Sequence, residues 1–274
     1  MSDFLEEMAR SSAERVARAI EREPPHALER RARETPAPPA LKLSASGFDV
    51  IAELKLRSPA AGVLGDVSQD LTTRVLGYAR AGAAAVSVLT EPTRFDGTLE
   101  HLRAAASTLA PLGVPAMRKD FLVDPYQVLE ARAAGAGGVL IILRMLRSEQ
   151  SAELLATASA HGLFVLLEAF DADDLETARE LIAAARDPES VLVGVNSRDL
   201  ATLKVVPQRF GDLAPLLPAG AAAVAESGVA TPADATRMRA LGYRAALIGT
   251  ALMGRDDPGV LLSEILAAAR TVRP

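Results

Sequence analysis

From Phe48 onward the chain repeats one pattern eight times: a short apolar run, then a longer amphipathic segment. The runs cover 50–54, 84–89, 114–117, 139–143, 163–167, 191–195, 222–225 and 245–248. Each is too short for a helix and lacks the polar/apolar alternation of a half-exposed strand. Such runs fit strands buried on both faces, as in a parallel sheet. The intervening segments, 71–81, 99–109, 125–134, 149–160, 172–185, 207–216, 232–241 and 259–271, carry helical spacing. Several close on a glycine (Gly82, Gly113, Gly135, Gly162, Gly242), the residue that takes the left-handed conformation at a helix end without strain. Eight strands each followed by a helix is the count of a closed (β/α)₈ barrel, also called a TIM barrel. A doubly wound open sheet is the structural alternative. No GxGxxG follows the first run, which weakens its dinucleotide-binding version.

The total of 274 residues is close to the roughly 250 typical of such a barrel. The expected organisation is one domain over 1–274, with an N-terminal extension over 1–46 and the barrel over 47–274. Within the extension, Phe4, Leu5, Met8, Val16, Ala19 and Ile20 recur at helical spacing, and Ser2 and Asp3 are candidate caps. This predicts a helix packed on the barrel or over its mouth. The Arg-, Glu- and Pro-rich stretch 23–39 reads as an exposed connection.

Composition narrows the chemistry. A net charge of −5 argues against a general nucleic-acid binder, which needs a basic surface to displace counterions. There are no cysteines, so disulfides, thiolate metal sites and cysteine nucleophiles are excluded. The three histidines (His26, His101, His161) stand far apart, outside any metal-ligand motif, and read as exposed helix or loop residues. No metal site is expected. The acidic, amphipathic start is not a secretory signal, and no apolar run of about 20 residues exists to cross a bilayer. The cytoplasm is the expected location.

Barrels place reacting groups at the C-terminal ends of their strands. There the sequence carries Glu53 and Lys55, two apart and so on one face of the first strand. They are either a functional acid–base pair or an ordinary salt bridge. The third strand ends in Arg118-Lys119-Asp120-Phe121, the fifth delivers Glu168 and the sixth Asn196-Ser197-Arg198-Asp199. The fourth stays apolar from Leu140 to Leu143 and would make a hydrophobic wall. Ser227-Gly228 follow the seventh strand and Gly249-Thr250 the eighth. Small residues there leave backbone N–H groups open to an anion, and many barrels bind phosphate at this place beside a short extra helix. The set reads as two lysines and a glutamate tuned for proton transfer. Phe95, Phe121, Leu140 and Leu247 would enclose an apolar or aromatic part of a substrate, and Arg198 could grip a carboxylate with its planar fork.

Six segments occur in an order and spacing that resemble one family. They are Ile51-Ala52-Glu53-Leu54-Lys55 with Ser58-Pro59, Ser87-Val88-Leu89-Thr90-Glu91 with Phe95-Asp96-Gly97, Arg118-Lys119-Asp120-Phe121, Gly194-Val195-Asn196-Ser197-Arg198-Asp199-Leu200, Ala225-Glu226-Ser227-Gly228, and Leu247-Ile248-Gly249-Thr250-Ala251-Leu252-Met253. The chain resembles indole-3-glycerol-phosphate synthase, a carbon–carbon lyase of tryptophan biosynthesis that works without cofactor. The resemblance implies Lys119 as general acid, Glu168 as base, and Lys55 as a second acid or anion partner. Glu53 and Asn196 would orient these groups, with Glu226 in support. It also implies Ser58 and Arg198 near a carboxylate, Phe95, Phe121, Leu140, Leu200 and Leu247 around an aromatic ring, and Ser227, Gly228, Gly249 and Thr250 at a phosphate. The chain departs from the family at Ala60-Ala61-Gly62, where a serine and often a lysine precede the glycine, and at Ala169-Phe170, where valine–histidine is common. The implied partner is a small phosphorylated substrate, with neither nucleic acid nor membrane, in a monomer or weak homodimer.

Among other phosphate-binding barrels, phosphoribosylanthranilate isomerase pairs a cysteine with an aspartate, and this chain has no cysteine; a Schiff-base lyase using a lysine nucleophile and an inactive binding barrel stay open on sequence. The last helical pattern runs to 271, so no second enzyme is expected within the chain.

Overall fold

Eight strands, β1 (Asp49–Leu54), β2 (Ala85–Leu89), β3 (Ala116–Lys119), β4 (Gly138–Ile142), β5 (Phe164–Ala169), β6 (Val191–Asn196), β7 (Ala222–Glu226) and β8 (Ala245–Ile248), form a closed parallel barrel. Each strand pairs with its sequence neighbours, and β1 pairs with both β2 and β8 to complete the ring. The computed structural model describes residues 3–45, 47–58, 62–63, 67–200 and 202–272. The candidate cap Ser2, the Asp3 and Ser58 side chains and most of the loop around Ala60-Ala61 lie outside what it describes.

Two buried clusters explain why the strands read as unbroken apolar runs. Val50, Ala52, Val86, Val88, Val139, Ile141, Val165, Leu167, Val193, Ala225 and Ile248 pack outward against the helices. Their alternates Ile51, Ala85, Met117, Leu140, Leu166, Leu192, Val224 and Leu247 fill the interior. Alternation is present, but both faces are dry, so it leaves no polar trace.

Twelve helices surround or precede the strands among the described residues: α1 (Asp3–Arg22), α2 (Pro25–Glu34), α3 (Val67–Arg80), α4 (Pro92–Phe95), α5 (Leu99–Leu109), α6 (Pro125–Ala133), α7 (Ser148–Ala160), α8 (Ala172–Ala184), α9 (Gln208–Leu213), α10 (Pro232–Ala240), α11 (Thr250–Met253) and α12 (Pro258–Arg270). Side-chain oxygens of Thr98, Asp124, Asp171, Thr231 and Asp257 accept hydrogen bonds from N–H groups in the first turns of α5, α6, α8, α10 and α12. The five glycines expected at helix ends all lie at φ between +69° and +96°. None of the described helices is long and apolar enough to cross a membrane.

Three sequence expectations need correction. The stretch 23–39 is not merely a connection, because it contains α2. Pro25 begins this helix, where its missing N–H costs nothing, and only Leu28 and Ala32, one turn apart, are buried. They meet Val16 and Ala19 of α1 and Tyr126 and Ala133 of α6. Two apolar residues among Arg and Glu are too thin a stripe to mark a helix. The third strand is shifted: it runs from Ala116 through Lys119 rather than over 114–117. Arg118 is inside it because its guanidinium, 2% exposed, is held by Asp120, Glu130, Thr90 Oγ1 and the Gln127 carbonyl. The segment 207–216 is the shorter α9 followed by a 3₁₀ turn, Ala214–Leu216.

Leu28 is fully buried in the α1–α2–α6 junction. Leu28→Ala should lower the unfolding free energy by about 2–4 kcal/mol, from lost burial and the cavity left behind. Leu112→Ala, at a side chain 45% exposed, should change it by less than about 0.5 kcal/mol. Urea titrations of the two variants check this.

Candidate active site

Strand parity decides which charges enter the barrel. Beyond Ile51 the next inward position on β1 is Glu53; beyond Met117 on β3 it is Lys119. Leu166 leads to Glu168 on β5, and Val224 to Glu226 on β7. Together with Lys55, Asn196 and Arg198, these residues line a cavity of about 430 Å³ at the C-terminal end of the barrel. Its apolar wall includes Phe95, Phe121, Leu140, Leu200 and Leu247. Ser227, Gly228, Gly249 and Thr250 line it as well. Every candidate site residue is thus brought to one cavity except Ser58, whose side chain is not described.

The pair Glu53–Lys55 faces inward, with Lys55 Nζ 2.7 Å from Glu53 Oε1. Lys119 Nζ donates to Glu226 Oε2 at 3.2 Å and lies 3.9 Å from Glu168 Oε2. Asn196 Nδ2 donates to the other Glu168 oxygen, Oε1, and Asn196 Oδ1 accepts from the Arg198 backbone N–H at 2.9 Å. Asn196 therefore fixes both the carboxylate and the turn that presents Arg198. One guanidinium nitrogen of Arg198 donates to the Leu203 carbonyl at 2.7 Å.

Two glycines make this packing possible. A β-carbon on Gly249 would lie 2.1 Å from Glu53 Oε1 and 3.0 Å from Lys55 Nζ. One on Gly194 would lie 1.9 Å from Glu226 Oε1. Each acid thus occupies space that a side chain on the adjacent strand would fill.

The charges tune one another in a buried setting. Burial acts against the charge on Lys119, but Glu168, Glu226 and Glu53 outweigh it and raise its pKa above the ordinary lysine value. Burial likewise opposes ionisation of Glu53, yet Lys55 and Lys119 bring it below the usual range for a glutamate. For Glu226 burial wins. Despite Lys119, and with Glu168 repelling a second negative charge, its carboxyl is pushed up to about 8. At neutral pH the site therefore holds a charged Lys119 over a largely protonated Glu226.

Beyond β7, Ser227 takes a left-handed backbone conformation with φ of +64°, followed by Gly228 at +99°. The Ser227 carbonyl accepts a hydrogen bond from Ser197 Oγ. Only glycine enters this region freely, so a serine here is held by its surroundings. After the neighbouring strand β8, Gly249 precedes the short α11.

The sequence reading missed part of the wall. Phe4 and Leu5 of α1 line the cavity, as do Ile142, Phe170, Leu203, Val205 and Val229. Ile142 and Phe170 had a usable signal: each stands two residues after an inward position already identified, Leu140 and Glu168. Phe170 is 4% exposed and carries the Arg144 guanidinium 4.4 Å from its ring centroid. The departure at 169–170 therefore puts an aromatic face in the cavity. The extension predicts a helix on the barrel or over its mouth, but no local pattern singles out Phe4 and Leu5 as lining residues. The three histidines lie outside it.

Comparison with known proteins gives a consistent answer. The family model for indole-3-glycerol phosphate synthase matches residues 5–265. The chain is 42% identical over 226 residues to the indole-3-glycerol phosphate synthase of Parafrankia sp. (strain EAN1pec), covering 82% of this chain and 80% of that protein. With the protein of the same name from Polaromonas sp. (strain JS666 / ATCC BAA-500) it shares 38% identity over 277 residues, covering 97% and 98%. Among solved structures, 3-hexulose-6-phosphate synthase from Salmonella typhimurium superposes with a TM-score of 0.61 at 11% identity, covering 81% of this chain and 99% of that one. Thiamine phosphate pyrophosphorylase from Pyrococcus furiosus does so with a TM-score of 0.57 at 15% identity, covering 82% and 96%. At such identities these two structures speak for the barrel alone. The match across nearly the whole length, and the identity to full-length relatives, establish that the chain belongs to the indole-3-glycerol phosphate synthase family.

Proposed function

We propose that this barrel closes the indole ring of indole-3-glycerol phosphate, acting on 1-(2-carboxyphenylamino)-1-deoxyribulose 5-phosphate with loss of CO₂ and water. The observation that carries the reading is the placement of Lys119 between Glu168 and Glu226, at the floor of a cavity with an aromatic wall.

The chemistry follows from that placement. The ring carbon bearing the carboxylate attacks the substrate ketone, and negative charge gathers on the ketone oxygen. A fixed ammonium answers a charge that is largest in the transition state, so Lys119 lowers the barrier more than it tightens binding. Lys119 supplies the proton that makes the oxygen a hydroxyl. Departure of CO₂ returns the bonding electrons to the ring. A second acid, the role open to Lys55, protonates the hydroxyl so that it leaves as water, and Glu168, oriented by Asn196, removes a proton from carbon as the ring becomes aromatic. Lys55, paired with Glu53, is the second acid or a partner for the substrate's anionic groups.

The remaining contacts divide by chemistry. Phe95, Phe121, Leu140, Leu200 and Leu247 hold the aromatic ring, and Ser58 and Arg198 its carboxylate. The phosphate lies over Ser227, Gly228, Gly249 and Thr250, where the turns after β7 and β8 bring backbone N–H groups to the mouth.

The direct test is appearance of indole-3-glycerol phosphate fluorescence from purified protein, the carboxyphenylamino substrate and excess EDTA. Turnover supports the reading; a folded protein with none moves the weight to another phosphorylated substrate. Lys119→Ala and Glu168→Gln should each reduce kcat by at least about a hundredfold, since each removes a proton-transfer group. Thermal unfolding should change little for Glu168→Gln, whereas Lys119→Ala should also lower the Tm, because it takes the cation from between Glu168 and Glu226. A variant with undiminished turnover removes that residue from the scheme.

The raised Glu226 gives a second expectation. The folded protein keeps this carboxyl protonated up to about pH 8, whereas the unfolded chain ionises near 4.5. Its contribution to stability is complete below pH 4.5 and is lost as the pH rises to 8. Glu226→Gln stays neutral throughout. Over this window the Tm of the unaltered protein should fall relative to that of Glu226→Gln; parallel curves would rule out the buried neutral carboxyl.

A further inference from the structure

One member of the apolar wall is pinned from behind by charge. Phe170 stands two residues beyond Glu168, just past the end of β5, and is buried. Its ring lines the cavity and packs in the same buried cluster as Phe121, Leu140 and Leu247. The Arg144 guanidinium lies over that ring, drawn to its electron-rich face. Arg144 is itself held. Its Nε and one terminal nitrogen donate to Asp174 Oδ2 at 3.0 and 2.6 Å, and the same terminal nitrogen donates to Asp171 Oδ2. The Phe170 backbone N–H donates to that Asp174 oxygen at 2.8 Å. One oxygen of a buried carboxylate thus fixes both the backbone of Phe170 and the cation stacked on its ring.

A wall built this way yields less than an aliphatic one. Leu140, Leu200 and Leu247 can repack around an added group. Swinging Phe170 aside would part its ring from a guanidinium locked by two acids. Place in the barrel matters as well. Strand β5 neighbours β4, which carries Leu140, and lies two and three strands from the turns after β7 and β8. Phe170 therefore belongs to the aryl end of the cavity, away from the phosphate end. Histidine is common here in the family, so this ring stands outside the shared catalytic set.

We propose that Phe170, backed by Arg144, is a specificity-determining residue that limits which substituents the aromatic ring of the substrate can carry. The proposal rests on the function inferred above and deepens it by assigning the steric limit of the aryl pocket. In a close-packed apolar site one group of methyl size changes discrimination by about tenfold or more, provided that the wall does not give way.

The test uses the full chain and five substrates: the carboxyphenylamino compound itself, and four versions with chlorine at each free ring carbon in turn. The quantity read is kcat/KM for each chlorinated substrate relative to the parent. Phe170→Ala opens the wall, and Phe170→Leu does so with less loss of core burial should the alanine variant fold poorly. Each should raise the relative kcat/KM of one or two chlorinated substrates by about tenfold or more. Arg144→Gln keeps a donor for Asp174 but removes the cation, and should favour the same substrates by about threefold or more. No gain for any chlorinated substrate, or an equal gain for all four, would overturn the proposal. A shift in the Phe170 variants without one in Arg144→Gln would remove Arg144 from it.

A second measurement needs no turnover. Anthranilate is fluorescent and the chain has no tryptophan, so its binding can be titrated directly. The affinity of the matching chloroanthranilate relative to anthranilate should rise by about threefold or more in Phe170→Leu. The stabilisation of the protein by inorganic phosphate, read as a change in Tm, should be the same in both proteins. An unchanged affinity ratio, or an equal loss of phosphate binding, would overturn the proposal. If the unaltered protein fails to turn over the carboxyphenylamino substrate, the functional reading fails, while the anthranilate titrations across the four ring positions still decide whether Phe170 sets the limit of an aryl pocket.

Discussion

Closing eight parallel strands on themselves leaves no edge and no wet face, and the rest of this molecule follows from that constraint. Every strand residue must be buried either inside the barrel or beneath the helices. Charge can enter only where the interior opens, one inward step above the last apolar layer. Glu53, Lys119, Glu168 and Glu226 all stand at that step, so the fold selects a level for the chemistry before any particular residue is chosen.

Gathering three carboxylates and two ammonium groups at that level would be costly if each stood alone in a poorly solvated site. The structure resolves this by unequal sharing. Glu53 has Lys55, while Lys119 stands between Glu168 and Glu226. The deepest acid, Glu226, keeps its proton to about pH 8. Neutralising one acid frees Lys119 from being fully paired, so its charge remains to act on a developing oxyanion.

Much of this was legible in the sequence, for physical reasons. The number and order of strands showed because burial on both faces demands unbroken apolar runs, and helix ends showed because left-handed closure favours glycine. The acid–base set showed because charged residues at strand ends are conspicuous against such runs. The hidden parts depend on contacts distant in sequence. Helix α2 has only Leu28 and Ala32 to bury, so its reason for existing lies in Tyr126 and Ala133 of α6. Arg118 looks like solvated charge until its four partners are seen. Phe4 and Leu5 are merely the apolar face of a helix until that helix lies across the mouth, and Phe170 looks like a neutral substitution until strand parity turns it inward.

Gly194 and Gly249 carry a wider consequence. Each forgoes a side chain at the level where neighbouring strands place their acids, and the carboxylate of the next strand crosses into the space released. The arrangement of charge is therefore written partly in residues that have neither charge nor side chain. A single methyl group on either glycine would act as a steric control on acidity. It would displace Glu226 or Glu53 with every titratable residue still in place, and so retune the proton chemistry through shape alone.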